Sequence, residues 1–100
     1  MGRKVILTPQ ALDDLREIVS FIAQQNPARA KSFGNELIDQ ALTLAELAER
    51  GRAVPEISES SVREIVHRPY RIIYEIFPEQ NAVYVLRFWH GVRGEPEIKP

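Results

Sequence analysis

The spacing of apolar residues changes once along the chain, from the period of a helix to the period of a strand. In the first part the apolar residues recur at intervals of three and four, the spacing of one helix face, at Leu12, Leu15, Val19 and Ile22. Thr8-Pro9 precedes this stripe and matches a common helix start, an N-cap residue followed by proline. We therefore predict a short strand over residues 3–7 and a helix that begins at Thr8-Pro9.

A second helix is predicted directly after the first one. Asn26-Pro27 repeats the start signal after a very short connection, Gln24-Gln25. The apolar stripe then continues through six positions: Ala30, Phe33, Leu37, Ala41, Leu44 and Ala48. Such a short connection makes the two helices antiparallel, as an αα-hairpin. Gly34 indicates close approach of the two helices, and Gly51 is predicted to cap the C-terminal end of the second one.

The second part of the chain is predicted to form an antiparallel sheet. Residues 51–61 show no usable period and are predicted as a surface loop. Runs rich in β-branched and aromatic residues follow, and the short breaks between them predict consecutive hairpins, with strands at 62–67, 70–77 and 82–89. In the middle run every second residue from Tyr70 to Ile76 is apolar, so we expect the helices to cover that face.

These elements predict a fold of the α+β class: an N-terminal strand, an αα-hairpin and a three-stranded antiparallel meander. The 100 residues, 44% apolar and 27% charged, fit one domain over residues 1–100 with a core of its own. Residues 91–100 are predicted to form a polar tail.

Composition and motifs exclude several classes of protein. The chain has no cysteine, which excludes a disulfide framework, zinc–thiolate sites and thiol catalysis. Its two histidines have no metal-ligand spacing, and its glycines form neither a P-loop nor a dinucleotide fingerprint, so we expect no metal and no cofactor. Neither a signal peptide nor the ~20 consecutive apolar residues of a membrane span is present, and we expect a cytoplasmic protein without membrane contacts.

The distribution of arginine predicts a local binding face. The net charge of −1 does not favour nucleic acid as a partner. However, residues 62–93 contain no lysine, three glutamates and five arginines: Arg63, Arg68, Arg71, Arg87 and Arg93. Arginine rather than lysine suits carboxylate, phosphate and aromatic partners, because its guanidinium presents donors in a fixed fork.

Four segments taken in order resemble the RelE/ParE superfamily of bacterial toxins. They are ALDDLREIVSFIAQQNPARA, GRAVPEI, VREIVHRPYRIIYEI and VLRFWHGVR, at residues 11–30, 51–57, 62–76 and 85–93. The resemblance implies the toxin of a type II toxin–antitoxin module, one that arrests growth when expressed alone. It also implies a ParD-like or RelB-like antitoxin that neutralises the toxin in a hetero-oligomer.

The resemblance leaves two activities open, because RelE-like members cut mRNA on the ribosome and ParE-like members block DNA gyrase. RNA cleavage needs a base, an acid and cations on the developing phosphorane charge. For a RelE-like enzyme the resemblance implies Arg71 and Arg93 on the phosphate, and His90 fits the acid, since histidine titrates near neutral pH.

The departures from the RelE pattern favour the ParE-like reading. RelE ribonucleases carry lysines where this chain has Val62 and Glu64, and a tyrosine where it has Lys99. The HGVR and VREI segments resemble ParE, so gyrase inhibition and plasmid stabilisation are expected. An mRNA endoribonuclease, and a non-toxic relative that only binds antitoxin, are the alternatives.

We predict that Arg71, His90 and Arg93 form one target-binding cluster, with Arg87 as a further member. Arg71 begins its strand, and the other two follow the end of the next strand, so antiparallel pairing brings them together. The alternative for each arginine is a solvated side chain on the sheet, and for His90 a cap at the strand end. The candidate bases for RNA cleavage are Glu56, Glu59 and Glu64. The candidate binding anchor is either Phe88 or Trp89.

The antitoxin is predicted to lay an amphipathic helix across the αα-hairpin and an extended segment along the sheet edge. A groove between helices and an open edge are the places where a small domain binds peptides. The hairpin residues predicted to contact the antitoxin are apolar: Leu15, Val19, Ile22, Phe33, Leu37 and Leu44.

Overall fold

A computed structural model describes residues 2–58 and 61–98, and in it a helical hairpin packs on one face of a β-sheet. The helices are α1 (Pro9–Ala23), α2 (Pro27–Leu42) and the short α3 (Leu44–Leu47). The strands are β1 (Lys4–Leu7), β2 (Arg52–Ala53), β3 (Val62–His67), β4 (Tyr70–Phe77) and β5 (Ala82–His90). This arrangement confirms the predicted α+β class, the αα-hairpin and the meander.

The sheet has the strand order β1-β5-β4-β3-β2. β1 runs parallel to β5, and the other neighbouring pairs are antiparallel. β3 and β4 are joined by Arg68-Pro69, whose peptide bond is cis. β2 lies inside the segment predicted as a loop, which is a correction: Arg52 and Ala53 pair with Glu64 and Arg63, and so extend the sheet beyond β3.

Both predicted helix starts are confirmed by side-chain caps. The Thr8 hydroxyl accepts the Ala11 N–H at 3.2 Å and donates to the Val85 carbonyl at 2.9 Å, so it also ties α1 to β5. The Asn26 side-chain carbonyl accepts the Arg29 N–H at 3.0 Å. These contacts satisfy backbone donors that the first turn of a helix leaves unpaired.

The helices cover the sheet face that carries Ile72 and Tyr74, as the alternation in β4 predicts. All six stripe residues from Ala30 to Ala48 are buried. The close approach at Gly34 is confirmed, because a Cβ there would lie 2.9 Å from Val19 Cγ2. Of the stripe predicted for α1, Leu15 and Ile22 pack against the core, whereas Leu12 is 36% exposed. The buried residues of α1 are Ala11, Asp14 and Ile18.

Gly51 does not cap a helix in the way the sequence predicts. α2 ends at Leu42, α3 and a 3-10 turn follow, and Gly51 has an extended φ of −70° rather than a left-handed one. Tyr74 donates its hydroxyl hydrogen to the Ala48 carbonyl at 2.6 Å, directly beside Gly51. A Cβ at Gly51 would overlap that hydroxyl, so glycine is required there by close packing.

A second, smaller core lies on the helix-free face of the sheet, the face that carries Ile73 and Trp89. The buried residues there are Val54, Val62, Ile73 and Trp89. Only part of the predicted polar tail packs on this face: Pro96 is buried and Ile98 contacts the cluster, whereas residues 91–95 are exposed. Pro96 and Ile98 carry this packing, and residues 99–100 lie outside the described part. Within the described ranges, no helix has the length and apolar content to cross a membrane.

Candidate functional site

Trp89 lies among three of the predicted target-binding residues, Arg71, Arg87 and Arg93. Its side chain is on the helix-free face, and its register partner on β4 is Arg71. The Arg93 guanidinium carbon lies 4.0 Å from the centroid of the indole, and the Arg87 carbon lies 4.8 Å from it. These are cation–π distances. We call Arg71, Arg87, Trp89 and Arg93 the Trp89 cluster.

The Arg71 guanidinium is shared between two carboxylates. Its Nε donates to Glu64 Oε1 at 2.6 Å, and its Nη1 and Nη2 donate to the two oxygens of Glu56 at 3.2 and 2.8 Å. Arg52 Nε donates to the other oxygen of Glu64 at 2.7 Å. Two arginines and two glutamates therefore form one neutral network.

The hydrogen bonds between Arg71 and Glu56 favour the ionised forms of both side chains. The Glu64 side chain is 0% exposed, that of Arg71 12% and that of Glu56 28%. The hydrogen bond from Arg71 lowers the pKa of Glu56, and burial opposes it only in part. The same hydrogen bond raises the pKa of Arg71. Both partners consequently carry their charges across the whole physiological pH range.

Arg87 forms a buried ion pair with the helical hairpin. Its Nε and Nη2 donate to the two oxygens of Asp14 at 2.7 and 2.8 Å, and its Nη1 donates to the Glu97 carbonyl at 2.6 Å. The hydrogen bonds to Asp14 raise the pKa of Arg87. The side chains are 11% and 7% exposed. The donors of Arg87 thus hold Asp14 and the C-terminal segment, and its role in target binding stays a prediction.

His90 lies on the opposite face from Trp89. Its ring meets the Tyr70 ring edge-on at 5.0 Å, and Tyr70 packs against the helix-side core. Its Nδ1 accepts the Val92 N–H at 3.2 Å, which matches the strand-end cap that the sequence left as an alternative. The expected cluster of Arg71, His90 and Arg93 is thus divided between two faces, because consecutive residues of a strand point in opposite directions.

Arg93 is the exposed cation of the Trp89 cluster. It ends a 3-10 turn at Gly91–Arg93, and among residues 2–58 and 61–98 no carboxylate forms an ion pair with it. Gly94 follows with φ +84°, a left-handed value that glycine adopts without strain. The Trp89 indole N–H donates to the Gly94 carbonyl at 3.1 Å. Trp89 therefore fixes the turn that presents Arg93.

Sequence reasoning missed Arg52 and the pairing of Arg71 with Glu64. A signal for that pairing exists, because the two-residue break at Arg68-Pro69 sets the hairpin register. The register places Val66 opposite Arg71, and so Glu64 is the diagonal neighbour of Arg71 on the same face. Glu59, the third carboxylate considered as a base, lies outside the described residues.

The hairpin residues predicted to bind an antitoxin are mostly covered. Phe33, Leu37 and Leu44 are 5%, 0% and 0% exposed, because they pack on the sheet. This corrects the expectation that they present a docking surface. The other three residues predicted for this contact, Leu15, Val19 and Ile22, are partly buried. The exposed large apolar residues of the helical segment are Leu12, Phe21, Leu42 and Leu47.

In the part of the chain that the structure describes, no three His, Asp or Glu side chains are grouped so that they could hold an ion.

Comparison with known proteins identifies the family. A family model described as the ParE toxin of the type II toxin–antitoxin system parDE matches residues 5–94. The chain belongs to the ParE toxin family. The toxin RelE2 of Caulobacter vibrioides is similar to this ParE-family toxin, with 34% identity over 91 residues, 90% of this chain and 97% of the relative.

Solved structures of low sequence identity share the fold of this ParE-family toxin. A chain from the chromosomal ParDE system of P. aeruginosa has a TM-score of 0.74 at 20% identity, over 89% of this chain and 96% of that one. A chain of the RelBE2 toxin–antitoxin complex of Mycobacterium tuberculosis has a TM-score of 0.67 at 21% identity, over 90% and 99%. The predicted membership of the RelE/ParE superfamily is confirmed.

Proposed function

We propose that this toxin acts by binding DNA gyrase, and that it does not cut RNA. The observation that carries the proposal is the neutralisation of Arg71 by Glu56 and Glu64. A phosphate that is to be cleaved needs open cations around the phosphorane, whereas here two carboxylates already neutralise the guanidinium.

The position of His90 further supports binding over cleavage. An acid for the leaving oxygen must lie within hydrogen-bond reach of the same phosphate that the arginines hold. His90 faces the helix side and its Nδ1 is occupied by the Val92 N–H. Arginine, by contrast, is among the residue types most often found at the energetic centres of protein interfaces, and Arg93 is exposed beside Trp89.

A second candidate function is ribosome-dependent mRNA cleavage, which one contact favours. Glu56 is ionised, 28% exposed, and touches Arg71, so a carboxylate base lies beside a cation suited to phosphate. In that mechanism Glu56 would accept the proton of the attacking 2′-hydroxyl, and Arg71 and Arg93 would hold the phosphate.

We further propose a ParD-like or RelB-like antitoxin as the partner that neutralises the toxin in the cytoplasm. Its amphipathic helix docks on the outer surface of α1 and α2, where Leu12, Phe21 and Leu42 are exposed, and an extended segment adds to the sheet edge at β3. β2 pairs only with Arg63 and Glu64, so the rest of the β3 edge, from Ile65 to His67, is open to strand addition.

Expression in bacteria tests the proposed function. Expression of the toxin alone is expected to arrest growth and to reduce the negative supercoiling of a reporter plasmid, while mRNA stays intact. Co-expression of the antitoxin is expected to restore growth. Growth arrest with cleaved mRNA and unchanged supercoiling would favour the second candidate, and normal growth would indicate a non-toxic relative.

A further inference from the structure

The two carboxylates that hold Arg71 differ in exposure and in the part of the guanidinium they occupy. Glu64 is 0% exposed and accepts from Nε, whereas Glu56 is 28% exposed and accepts from Nη1 and Nη2. We propose that this Nη edge is a carboxylate-binding site, which Glu56 fills in the free toxin and an acidic side chain of the target fills in the complex. This inference rests on the proposed function, because it names the chemistry of the group that the target contributes.

Glu64 is the fixed partner of Arg71. It lies in β3, faces the small core, and is held from its other oxygen by Arg52 at 2.7 Å. Removing a fully buried carboxylate from the cations that pair with it is strongly unfavourable. Glu64 therefore keeps the Arg71 guanidinium oriented through Nε whatever occupies the Nη edge.

Glu56 is the replaceable partner. It follows Pro55 in a turn outside the sheet, closed by a hydrogen bond from the Ile57 N–H to the Val54 carbonyl at 3.0 Å. Val54 is buried and Ile57 packs against the small core, so the turn is anchored on both sides of Glu56. The carboxylate can leave Arg71 by side-chain rotation alone.

Charge and shape favour a protein carboxylate as the incoming group. Glu56 already makes a two-pronged contact with the fork of Arg71, the geometry that a planar carboxylate matches. Exchange of one carboxylate for another keeps the network of Arg52, Arg71, Glu64 and the incoming group neutral. An RNA strand, by contrast, brings several phosphates. The Trp89 cluster matches them poorly, because among its described residues only Arg93 lacks an acidic partner.

Competition by Glu56 weakens binding of the target group. The apparent dissociation constant rises as the fraction of toxin with a free Nη edge falls. Glu56→Gln keeps the size of the side chain and removes its charge, so we expect at least about threefold tighter binding of an acidic ligand. Glu79→Gln is the matched control, because it makes the same change of net charge at an exposed turn on Pro78–Gln80.

Fluorescence of Trp89, the one tryptophan of the chain, reports on this site because Trp89 is the register partner of Arg71. Wild type, Glu56→Gln and Glu79→Gln are titrated with a hexaglutamate peptide, with inorganic phosphate and with a short RNA oligonucleotide. Tighter binding of the peptide by Glu56→Gln alone is expected. Equal binding by the three proteins, or a gain restricted to the RNA, would overturn the proposal.

A gyrase supercoiling assay of the same three proteins separates this inference from the proposed function. If Glu56→Gln binds the peptide more tightly but no protein inhibits gyrase, the carboxylate site stands and the gyrase proposal fails. If wild type inhibits gyrase and Glu56→Gln is no more potent, the competition by Glu56 is refuted while gyrase inhibition stands. The same proteins are also added to a translation extract scored for mRNA cuts. Cleavage by wild type that is lost in Glu56→Gln would identify Glu56 as a catalytic base and would also overturn the inference.

Discussion

Asp14 of α1 binds Arg87 of β5 through two hydrogen bonds of 2.7 and 2.8 Å, and both side chains are nearly inaccessible to solvent. The same carboxylate accepts the Phe88 N–H at 3.0 Å. β1, the parallel neighbour of β5, ends at Leu7, opposite Val85. Asp14 therefore satisfies a backbone donor of β5 that lies beyond the end of β1. The pair therefore joins the helical hairpin to the part of β5 that carries Trp89.

Asp14→Asn is expected to destabilise the fold by about 3 kcal/mol, because it leaves the charge of Arg87 buried without a partner. Denaturation in urea measures the change in the free energy of unfolding. Asp13→Asn is the control, since the pair of Asp13 with Arg16 is 68% and 74% exposed, and such pairs contribute ~0.5 kcal/mol or less. Equal losses in both variants would contradict a structural role for Asp14.

Gly51→Ala is expected to destabilise the protein by about 2 kcal/mol, since the new methyl group would overlap the Tyr74 hydroxyl inside the core. Gly2→Ala provides a comparison, because its Cβ would press on the end of the flexible Glu46 side chain, at 2.6 Å, and would otherwise meet Ala45 Cβ at an ordinary 3.5 Å. Thermal unfolding of both variants tests the packing at Gly51. A midpoint for Gly51→Ala equal to that of Gly2→Ala would refute it.

The stability of the fold is expected to decrease in alkali through Tyr74. Burial raises the pKa of Tyr74 above its ordinary value of 10.0, because the folded protein favours the neutral phenol. The stability that the raised pKa of Tyr74 contributes is fully present below pH 10 and is lost as the pH rises through the folded-state pKa. Tyr74→Phe is expected to lower stability by ~1 kcal/mol at pH 7, through loss of the hydrogen bond to Ala48, and to flatten the decline above pH 10. Parallel pH profiles of the two proteins would show that Tyr74 is not responsible.

The local pattern of the sequence determined most of the fold. The proline-led helix starts, the stripe of α2 and the three long strands follow from periodicity and turn residues, which depend on near neighbours. The contacts that the sequence did not reveal are long-range ones. Asp14 and Arg87 are 73 residues apart, and β1 pairs with β5 across the whole helical hairpin, so no local spacing indicates either contact.

The candidate site was predicted only in part, for a geometrical reason. Sequence placed Arg71, His90 and Arg93 at one end of the sheet, but the face of each side chain depends on the register of β4 and β5. The register shift between Ile73 and Tyr74 changes that parity. Trp89, rather than His90, consequently lies between the arginines.

Arg93→Ala is expected to abolish inhibition of the target with a change in stability of ~0.5 kcal/mol or less, because the side chain is exposed. Arg71→Ala is expected to abolish inhibition and also to lower stability, since Glu64 would keep only Arg52. Arg68→Ala, an exposed change in the β3–β4 turn, serves as the control. Inhibition and urea unfolding are measured on each variant. Full activity of Arg93→Ala would remove Arg93 from the binding surface.

Antitoxin binding is expected to protect the helical hairpin from hydrogen exchange, over residues 12–48. The reason is the exposed apolar surface that includes Phe21, 70% exposed, and Leu42, 55% exposed. Exchange is compared with and without the antitoxin, and Phe21→Ser should weaken the complex while leaving the fold intact. Protection confined to residues 91–98 would place the antitoxin elsewhere.

The most direct test of the central proposal adds purified toxin to a gyrase supercoiling reaction and, in parallel, to a translation extract scored for mRNA cuts. Loss of supercoiling by wild type but not by Arg93→Ala, with mRNA left intact, is the result expected of a toxin that binds gyrase. Cuts in the mRNA without any loss of supercoiling would contradict the proposal and identify the toxin as a ribonuclease.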